Sequence, residues 1–335
     1  ITFDIMVKRI LVVFTAILIG SNIVSAQDPE FTQFYANRLY LNPAFAGEVK
    51  CPRIALNYRN QWPKLGSTYV TYAVSYDQYV RWVLGGVGVH IFRDVQGHGA
   101  ITTTNISAMY AYTISISRKF SVKGGFQASY FQKRLAWDFI FPDMIDPLYG
   151  VIYVNHETDI QNQWDKNNIH YFDFSAGLLG FSEEYYFGFA CHHLTAPPES
   201  HRDNSDAVLP RKYTVHFGTN IPISGRNLKK GELYLSPNIL FQQQQDFQQL
   251  NYGIYANRKS IVVGIWLRQN FNFHYDSFIM VLGYSTKKIK FAYSYDLTVS
   301  KLRNQTLGAH EVAYIMVFNC KPPPVKFRTI SCPSF

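Results

Sequence analysis

Strict alternation of apolar and polar residues over long segments constrains the fold of this chain more than any other feature. From Ile106 to Ser117, every even position holds Ile, Ala or Tyr, and the odd positions hold mostly Ser, Thr, Ala or Met. A period of two residues is that of a β-strand, and this segment is about twice as long as an ordinary globular strand. Similar segments lie at 70–80, 172–178 and 291–298. Long strands with one apolar and one largely polar face predict an all-β, antiparallel transmembrane barrel with a polar lumen.

The composition agrees with a barrel. Aromatic residues make up 16% of the chain, with 24 Tyr and 26 Phe, and membrane barrels use such residues as girdles at both interfaces. After Ala26, no segment approaches the run of about 20 apolar residues that a membrane helix needs. A helical membrane protein is therefore excluded.

Fourteen segments of this kind can be counted, with twelve or sixteen strands as alternative counts. An even number places both ends of the barrel in the periplasm, where connections should be short. The connections at 118–119, 183–184, 258–259 and 287–288 are short and charged, whereas long ones at 135–167 and 195–211 fall on the other side. The predicted strands are 52–61, 68–80, 83–93, 101–117, 120–134, 168–181, 185–194, 212–223, 231–243, 247–257, 260–269, 276–286, 289–299 and 309–320.

The first 26 residues have the features of a secretory signal peptide. Lys8 and Arg9 precede an apolar run at 10–19, and the segment ends in Val-Ser-Ala, which predicts cleavage between Ala26 and Gln27. An uncleaved anchor helix is the alternative. We therefore predict a signal peptide at 1–26, an N-terminal plug or periplasmic segment at 27–50, the barrel at 51–320 and a periplasmic Pro-rich tail at 321–335, in the outer membrane of a Gram-negative bacterium.

The four cysteines predict a disulfide, because exported proteins meet an oxidising compartment. Three of them, Cys51, Cys320 and Cys332, fall on the periplasmic side of the predicted topology, and Cys191 lies near the outer end of a strand. We predict a bridge between Cys320 and Cys332, with Cys51 as the alternative partner.

One cluster carries residues that could bind a metal. Cys191, His192 and His193 are consecutive, with Glu199 and His201 nearby. Neighbouring residues on a strand face opposite sides, so both histidines cannot ligate one lumenal metal without a bulge. Histidines that anchor a loop at the membrane interface are the favoured interpretation.

Other chemistry leaves no signature in the sequence. No Gly-x-Ser-x-Gly elbow or phosphate-binding glycine loop is present, and we predict no catalytic, cofactor or metal site. The formal charge of +9 is spread over turns and loops, which suits anionic lipid or acidic partners better than nucleic acid.

The segment after the signal peptide has no regular period and contains Pro29 and Pro43, so it is not a strand of the wall. A lumenal plug and a periplasmic arm are both compatible with it. The plug is favoured because its apolar residues, such as Phe31 and Phe34, need burial. We also expect Arg59 and Asp77 to point into the lumen, where they could pair.

Two sequence elements resemble the PorP/SprF family of type IX secretion system membrane proteins. The first is residues 28–47, ending Leu-Tyr-Leu-Asn-Pro-Ala-Phe-Ala-Gly, followed by Arg-Asn-Gln-Trp-Pro at 59–63; the second is the close Gly-Ala-His-Glu at 308–311. The resemblance covers nearly all of the mature chain, although its middle matches only as a generic barrel. Candidate plug or partner-contact residues from these motifs are Tyr40, Asn42, Pro43, Phe45, Gly47, Arg59, Asn60, Gln61, Trp62 and Pro63.

The resemblance implies a fourteen-stranded barrel similar in shape to the FadL-like fatty-acid channels, with a non-enzymatic role in secretion and gliding motility. Implied partners are other type IX secretion proteins, a large secreted adhesin with a C-terminal sorting domain, and a periplasmic ring or peptidoglycan-binding subunit, besides lipids of the outer membrane. A passive channel or a transporter of hydrophobic ligands is the alternative. The Pro-rich tail could dock a periplasmic partner or act as a strap.

Overall fold

A closed antiparallel β-barrel of fourteen strands forms the structure. The computed structural model describes residues 28–64, 69–136, 145–146, 150–151, 167–201, 207–225, 228–270, 275–299 and 306–320. The strands are β1 Arg53–Gln61, β2 Tyr69–Val80, β3 Gly85–Gln96, β4 Ile101–Ser115, β5 Ser121–Leu135, β6 Asn168–Phe181, β7 Tyr185–His192, β8 Lys212–Thr219, β9 Leu228–Gln244, β10 Phe247–Arg258, β11 Ile261–Gln269, β12 Tyr275–Ser285, β13 Ile289–Thr298 and β14 Ala309–Val317.

Each strand pairs with its neighbours in the chain, and β1 pairs with β14 to close the barrel. After a break at Asn220, β8 continues as the short strand Ile221–Gly225, which pairs with β9. A separate two-residue hairpin joins Ile145–Asp146 to Gly150–Val151. The predicted fold class and count of fourteen are confirmed.

Alternation places apolar residues on the outside and polar or small residues in the lumen. On β4, Ile106, Tyr110 and Ile114 are exposed, whereas Asn105 and Ser107 are buried. The exposed residues form an apolar outer surface of the kind that contacts lipid.

The two ends of the barrel differ in the length of their connections. We call one end of the barrel the turn end; β1 begins there and β14 ends there. The connections at this end are 81–84, 116–120, 182–184, 226–227 (after the continuation of β8), 259–260 and 286–288. At the opposite end, the loop end, the long connections 136–167 and 193–211 join the strands. Short turns face the periplasm in barrels of this type, so the turn end is the periplasmic end.

Among the residues that the structure describes, the helices are short. Helix α1 spans Arg38–Leu41, and two single-turn 3₁₀ helices follow at Pro43–Phe45 and Gly97–Gly99. None of the helices among the described residues is long and apolar enough to cross a membrane.

A disulfide joins Cys51 to Cys320 at the turn end, with their Cα atoms 5.5 Å apart. The predicted bridge between Cys320 and Cys332 is therefore wrong, and the alternative partner is the one observed. The reason is barrel closure: Arg53 is paired with Val317 across the β1–β14 seam, which brings the residues just beyond them together. Cys332, the tail 321–335 and the cleavage-site residues Ala26 and Gln27 lie outside the described residues.

Candidate functional site

The lumen of the barrel is occupied by residues 28–50, which we call the plug. Asp28 lies at the loop end, where its backbone N–H donates to Gln244 Oε1 over 3.2 Å. Glu48 lies at the turn end beside Arg53, the first residue of β1. The plug thus runs through the barrel from the loop end to the turn end, and most of its side chains are buried.

The middle of the plug packs as an apolar core against large residues of the wall. Phe34 and Tyr35 contact the ring of Trp266, each with ring centroids 5.7 Å apart. Leu39, Leu41 and Phe45 belong to the same buried cluster. Burial of these side chains is the main apolar gain from placing the plug inside the barrel.

Asn42 fixes the plug backbone and also binds the wall. Its side-chain oxygen accepts the Ala44 N–H over 2.9 Å, which caps the turn Pro43–Phe45. Its amide nitrogen donates to the carbonyl oxygens of Leu178 and Phe189 over 3.1 and 3.2 Å. One side chain therefore both shapes the plug turn and holds it against β6 and β7.

Glycines of the wall make room for this part of the plug. A Cβ atom on Gly125 would lie 2.4 Å from the backbone nitrogen of Ala44, and one on Gly177 would lie 2.0 Å from Asn42 Oδ1. Gly47 has φ +63°, a conformation that favours glycine, and its N–H donates to Asp77 Oδ2 over 2.9 Å. The plug backbone thus approaches the wall more closely than side chains at these glycine positions would permit.

Near the loop end, two carboxylates of the wall bind the plug. Glu311 accepts the backbone N–H of Thr32 over 2.6 Å and that of Gln33 over 3.1 Å. Asp296 accepts the Thr32 hydroxyl over 2.6 Å. We call this group the carboxylate latch.

Two arginines of the wall neutralise the carboxylate latch. Arg59 contacts Asp296 over 3.1 Å and Glu311 over 3.3 Å, and Arg268 contacts Asp296 over 3.2 Å. Arg59 also donates to the Thr32 hydroxyl. Buried charges in this number are tolerated only when they are paired and hydrogen-bonded.

A second set of charges holds the plug at the turn end. Glu48 pairs with Arg38 of the plug and lies 3.9 Å from Arg53, which in turn contacts Asp77 over 2.8 Å. Burial alone would raise the pKa of Glu48, but the two guanidinium groups lower it below its ordinary value. Glu48 is therefore held in its charged form.

The expected pairing of Arg59 with Asp77 is wrong, although both side chains do point into the lumen. The register of β1 with β2 places Asp77 opposite Arg53 and Arg59 opposite Thr71. Arg59 is thus too near the loop end to reach Asp77 and pairs with residues of β13 and β14 instead.

A third set lies at the loop end around His193. Its ring nitrogens contact Asp173 Oδ2 over 2.8 Å and Asp28 Oδ2 over 2.9 Å, and Lys212 lies 3.5 Å from the same Asp28 oxygen. Burial would lower the pKa of His193, but the two carboxylates raise it to about 10. Burial likewise opposes ionisation of Asp28, yet His193 and Lys212 bring its pKa far below the ordinary value. The first described residue of the plug is thus held by full charges.

The Cys191–His193 cluster has a structural role in this arrangement. Both histidines are buried, because β7 ends at His192 and His193 takes φ +57°. His192 contacts the Leu41 carbonyl over 3.3 Å, and Glu199 pairs with Lys133. Among the described residues, no group of three or more His, Cys, Asp or Glu could hold a metal ion.

The predicted motif residues separate into two groups. Tyr40, Asn42, Pro43, Phe45 and Gly47 lie in the plug, where Tyr40 donates to the Pro29 carbonyl and Phe45 stacks on His216.

Of the second motif, Arg59 binds the plug and Gln61 accepts from Arg59 over 3.2 Å. Asn60 is paired in the sheet with residues of β2 and β14. Trp62 and Pro63 follow β1 at the loop end. Trp62 packs on Tyr69 with ring centroids 5.6 Å apart. In this second motif, Arg59 binds the plug directly and Gln61 supports the Arg59 side chain.

Sequence reasoning did not select the wall residues Asp296, Arg268 and Lys212, which bind the plug, and it named Glu311 only as part of the motif at 308–311. The signal that could have found them is a charged residue at an inward position of a membrane strand, which needs a partner. Small cavities of 30 and 10 Å³ remain beside the loop-end half of the plug.

These features define a class of protein: a transmembrane β-barrel of the outer-membrane type, whose lumen is filled by its own N-terminal segment. The chain belongs to the PorP/SprF family of type IX secretion system membrane proteins, which matches residues 23–316. Both the family assignment and the outer-membrane location agree with the sequence predictions.

Several solved structures have a similar architecture at low sequence identity. The toluene transporter TbuX of Ralstonia pickettii has 10% identity and a TM-score of 0.48, covering 84% of this chain and 93% of that one. The monoaromatic hydrocarbon channel CymD has 10% identity and a TM-score of 0.47, with 85% and 93% covered. The porin KdgM has 8% identity and a TM-score of 0.39, with 80% and 99% covered. Comparison with curated proteins gives no significant match.

Proposed function

We propose that this chain is a non-enzymatic outer-membrane component of the type IX secretion and gliding machinery. In this role the barrel exports, or holds at the cell surface, a large adhesin with a C-terminal sorting domain. Its periplasmic end contacts a ring or peptidoglycan-binding subunit of the same machine. Family membership supports the assignment to the secretion system, and the roles of adhesin and ring subunit are the proposal.

One observation supports a secretion component over a passive channel: the plug is fixed to the wall by three separate sets of buried charges. These sets are centred on Glu48, on Glu311 and on His193. Removing one partner from a buried ion pair costs about 3–5 kcal/mol, so release of the whole plug by thermal motion would be rare. A channel for free diffusion needs a lumen that is open much of the time.

The test is purification of the tagged full-length protein from native outer membranes in mild detergent, followed by mass spectrometry. We expect secretion-system subunits or a giant surface protein to remain bound. A strain that carries the same tag on an unrelated outer-membrane barrel provides the control for material that adheres to any barrel.

The same preparation distinguishes the alternative function. Reconstituted in planar bilayers, the plugged barrel should conduct no steady ionic current. If the barrel purifies alone and conducts ions, or contains a bound hydrophobic ligand, the secretion role is wrong and a channel or transporter replaces it.

A further inference from the structure

An apolar cavity lies at the turn end, between the plug and strands β10 to β14. Its volume is 70 Å³, and it is lined by the inward residues Val262, Val281, Ala292 and Ile315 together with plug residue Tyr35. Ser285 and Lys290, which flank the turn 286–288, also line it. The cavity therefore reaches the part of the barrel that faces the periplasm.

The turns beside this cavity are strongly basic. Arg258 and Lys259 are exposed in one turn, and Lys287 and Lys288 are exposed in the other. Neither of these two turns contains an acidic residue between 258 and 261 or between 285 and 290. We call this set the basic arc. On another part of the same rim, the turn between β6 and β7 carries the exposed acids Glu183 and Glu184.

We propose that the cavity and the basic arc form one docking site for an acidic segment of a periplasmic protein that inserts a single aliphatic side chain. Binding sites commonly combine an apolar anchor in a pocket with charges on its rim that steer and orient the partner. The cavity provides the pocket, and the four exposed cations select negative charge. This inference rests on the proposed function, because it names the face that contacts the periplasmic subunit.

Anionic lipid is the other negative partner available to a basic rim. The position of the cavity favours protein, because Gln33 and Tyr35 of the plug form one side of it. Acyl chains contact the outer face of the wall, whereas most of the residues that line this cavity face inward, with the exposed Tyr284 and Phe291 as the exceptions. Ser285 and Lys290 place part of the cavity next to the turn 286–288, on the side of the barrel that a periplasmic polypeptide meets.

The first experiment uses the full-length protein in nanodiscs of zwitterionic lipid. The probe is a fluorescent seven-residue peptide of Asp and Glu with one central Leu, and binding is followed by fluorescence polarisation. We expect the peptide with Leu to bind at least tenfold more tightly than the same peptide with Gly. Equal binding of the two peptides would refute the anchor cavity.

Variants then distinguish peptide binding at the basic arc from general electrostatic attraction to the positively charged barrel. The double variant Lys287→Glu, Lys288→Glu should weaken peptide binding at least tenfold. The matched control Arg118→Glu, Lys119→Glu reverses two exposed charges in the turn between β4 and β5 and should change binding less than twofold. Similar losses in both variants would overturn the proposal, since they would show only attraction to net charge. So would binding of phosphatidylglycerol vesicles, but not of the peptide, that depends on Lys287 and Lys288.

Filling the cavity provides a test with the charges intact. Ala292→Leu should weaken binding of the Leu peptide about tenfold while leaving the Gly peptide unchanged. If Ala292→Leu fails to fold, Val281→Phe serves the same purpose from the neighbouring strand. An unchanged affinity in a folded variant would contradict the anchor.

Crosslinking in native cells separates this inference from the proposed function. A photoreactive benzoyl-phenylalanine at Ser285 should crosslink to a periplasmic protein whose attached peptide is acidic, and one at exposed Ser117 should not. If secretion subunits co-purify but crosslink only elsewhere, the docking site is wrong and the proposed function stands. If no subunit co-purifies from the wild type, the proposed function is wrong, whatever the peptide measurements show.

Discussion

Replacing Glu311 by Gln should loosen the plug without opening a cavity in the wall. Glu311 is fully buried and accepts two plug N–H groups as well as a contact from Arg59. Removing one partner of a buried ion pair costs about 3–5 kcal/mol. Gln keeps one oxygen that can accept a plug N–H, so we take the low end, about 3 kcal/mol.

The effect should appear as faster hydrogen exchange at the plug. Exchange of the Thr32 and Gln33 amides requires local opening, and each 1.4 kcal/mol corresponds to about a tenfold change in the opening equilibrium. We therefore expect about a hundredfold faster exchange in residues 30–34, measured by mass spectrometry on the protein in detergent micelles.

The control is Glu184→Gln, which neutralises an exposed carboxylate in a turn and should leave plug exchange unchanged. Exchange within twofold of wild type in a correctly folded Glu311→Gln barrel would refute the reasoning. It would mean that apolar packing, rather than the carboxylate latch, determines how often the plug opens.

Three further predictions concern the wall glycine that contacts the plug, the disulfide and the loop-end charges. Gly125→Val should displace the plug and produce ionic current in planar bilayers, because a Cβ at this position overlaps the plug backbone, whereas Gly124→Val, which faces outward, should remain silent. Cys320→Ser should lower stability towards urea by up to about 5 kcal/mol, since the bridge closes a long loop, while an equal loss in Cys332→Ser would contradict the observed pairing. His193 has a raised pKa of about 10, so its contribution to plug docking is complete below about pH 6.5 and is lost as the pH rises through 10. Protection of the plug amides, taken as the intrinsic exchange rate at each pH divided by the observed rate, should fall over that range in the wild type and vary little in His193→Gln.

The wall of the barrel was predictable because a membrane strand repeats a simple rule over many residues. Ile106 to Ser115 show the rule directly, with apolar side chains towards lipid and small or polar ones towards the lumen. The rule needs no knowledge of which strand pairs with which, so it gives strand positions and an even count from local pattern alone. The signal peptide and the cleavage site after Ala26 stay predictions.

Contacts inside the lumen were less predictable, because they depend on register. Arg59 and Asp77 were both expected to face inward and do so, yet neither binds the other. The partners of Arg59 lie on β13 and β14, far away in sequence, and become neighbours only when the barrel closes. The bridge between Cys51 and Cys320 depends on the same closure.

The path of the plug restricts the order in which this protein can be assembled. Residue 28 lies at the loop end, and the chain crosses the whole lumen before Cys51 and the first strand begin at the turn end. A finished barrel would have to admit this segment lengthwise, drawing Asp28 and Glu30 past the apolar rings around Trp266. We expect instead that the strands assemble around the plug segment, so that contacts with the plug position the strands before the barrel closes. The seam between β1 and β14 would then close last, and the disulfide would lock a barrel already shaped by its own contents.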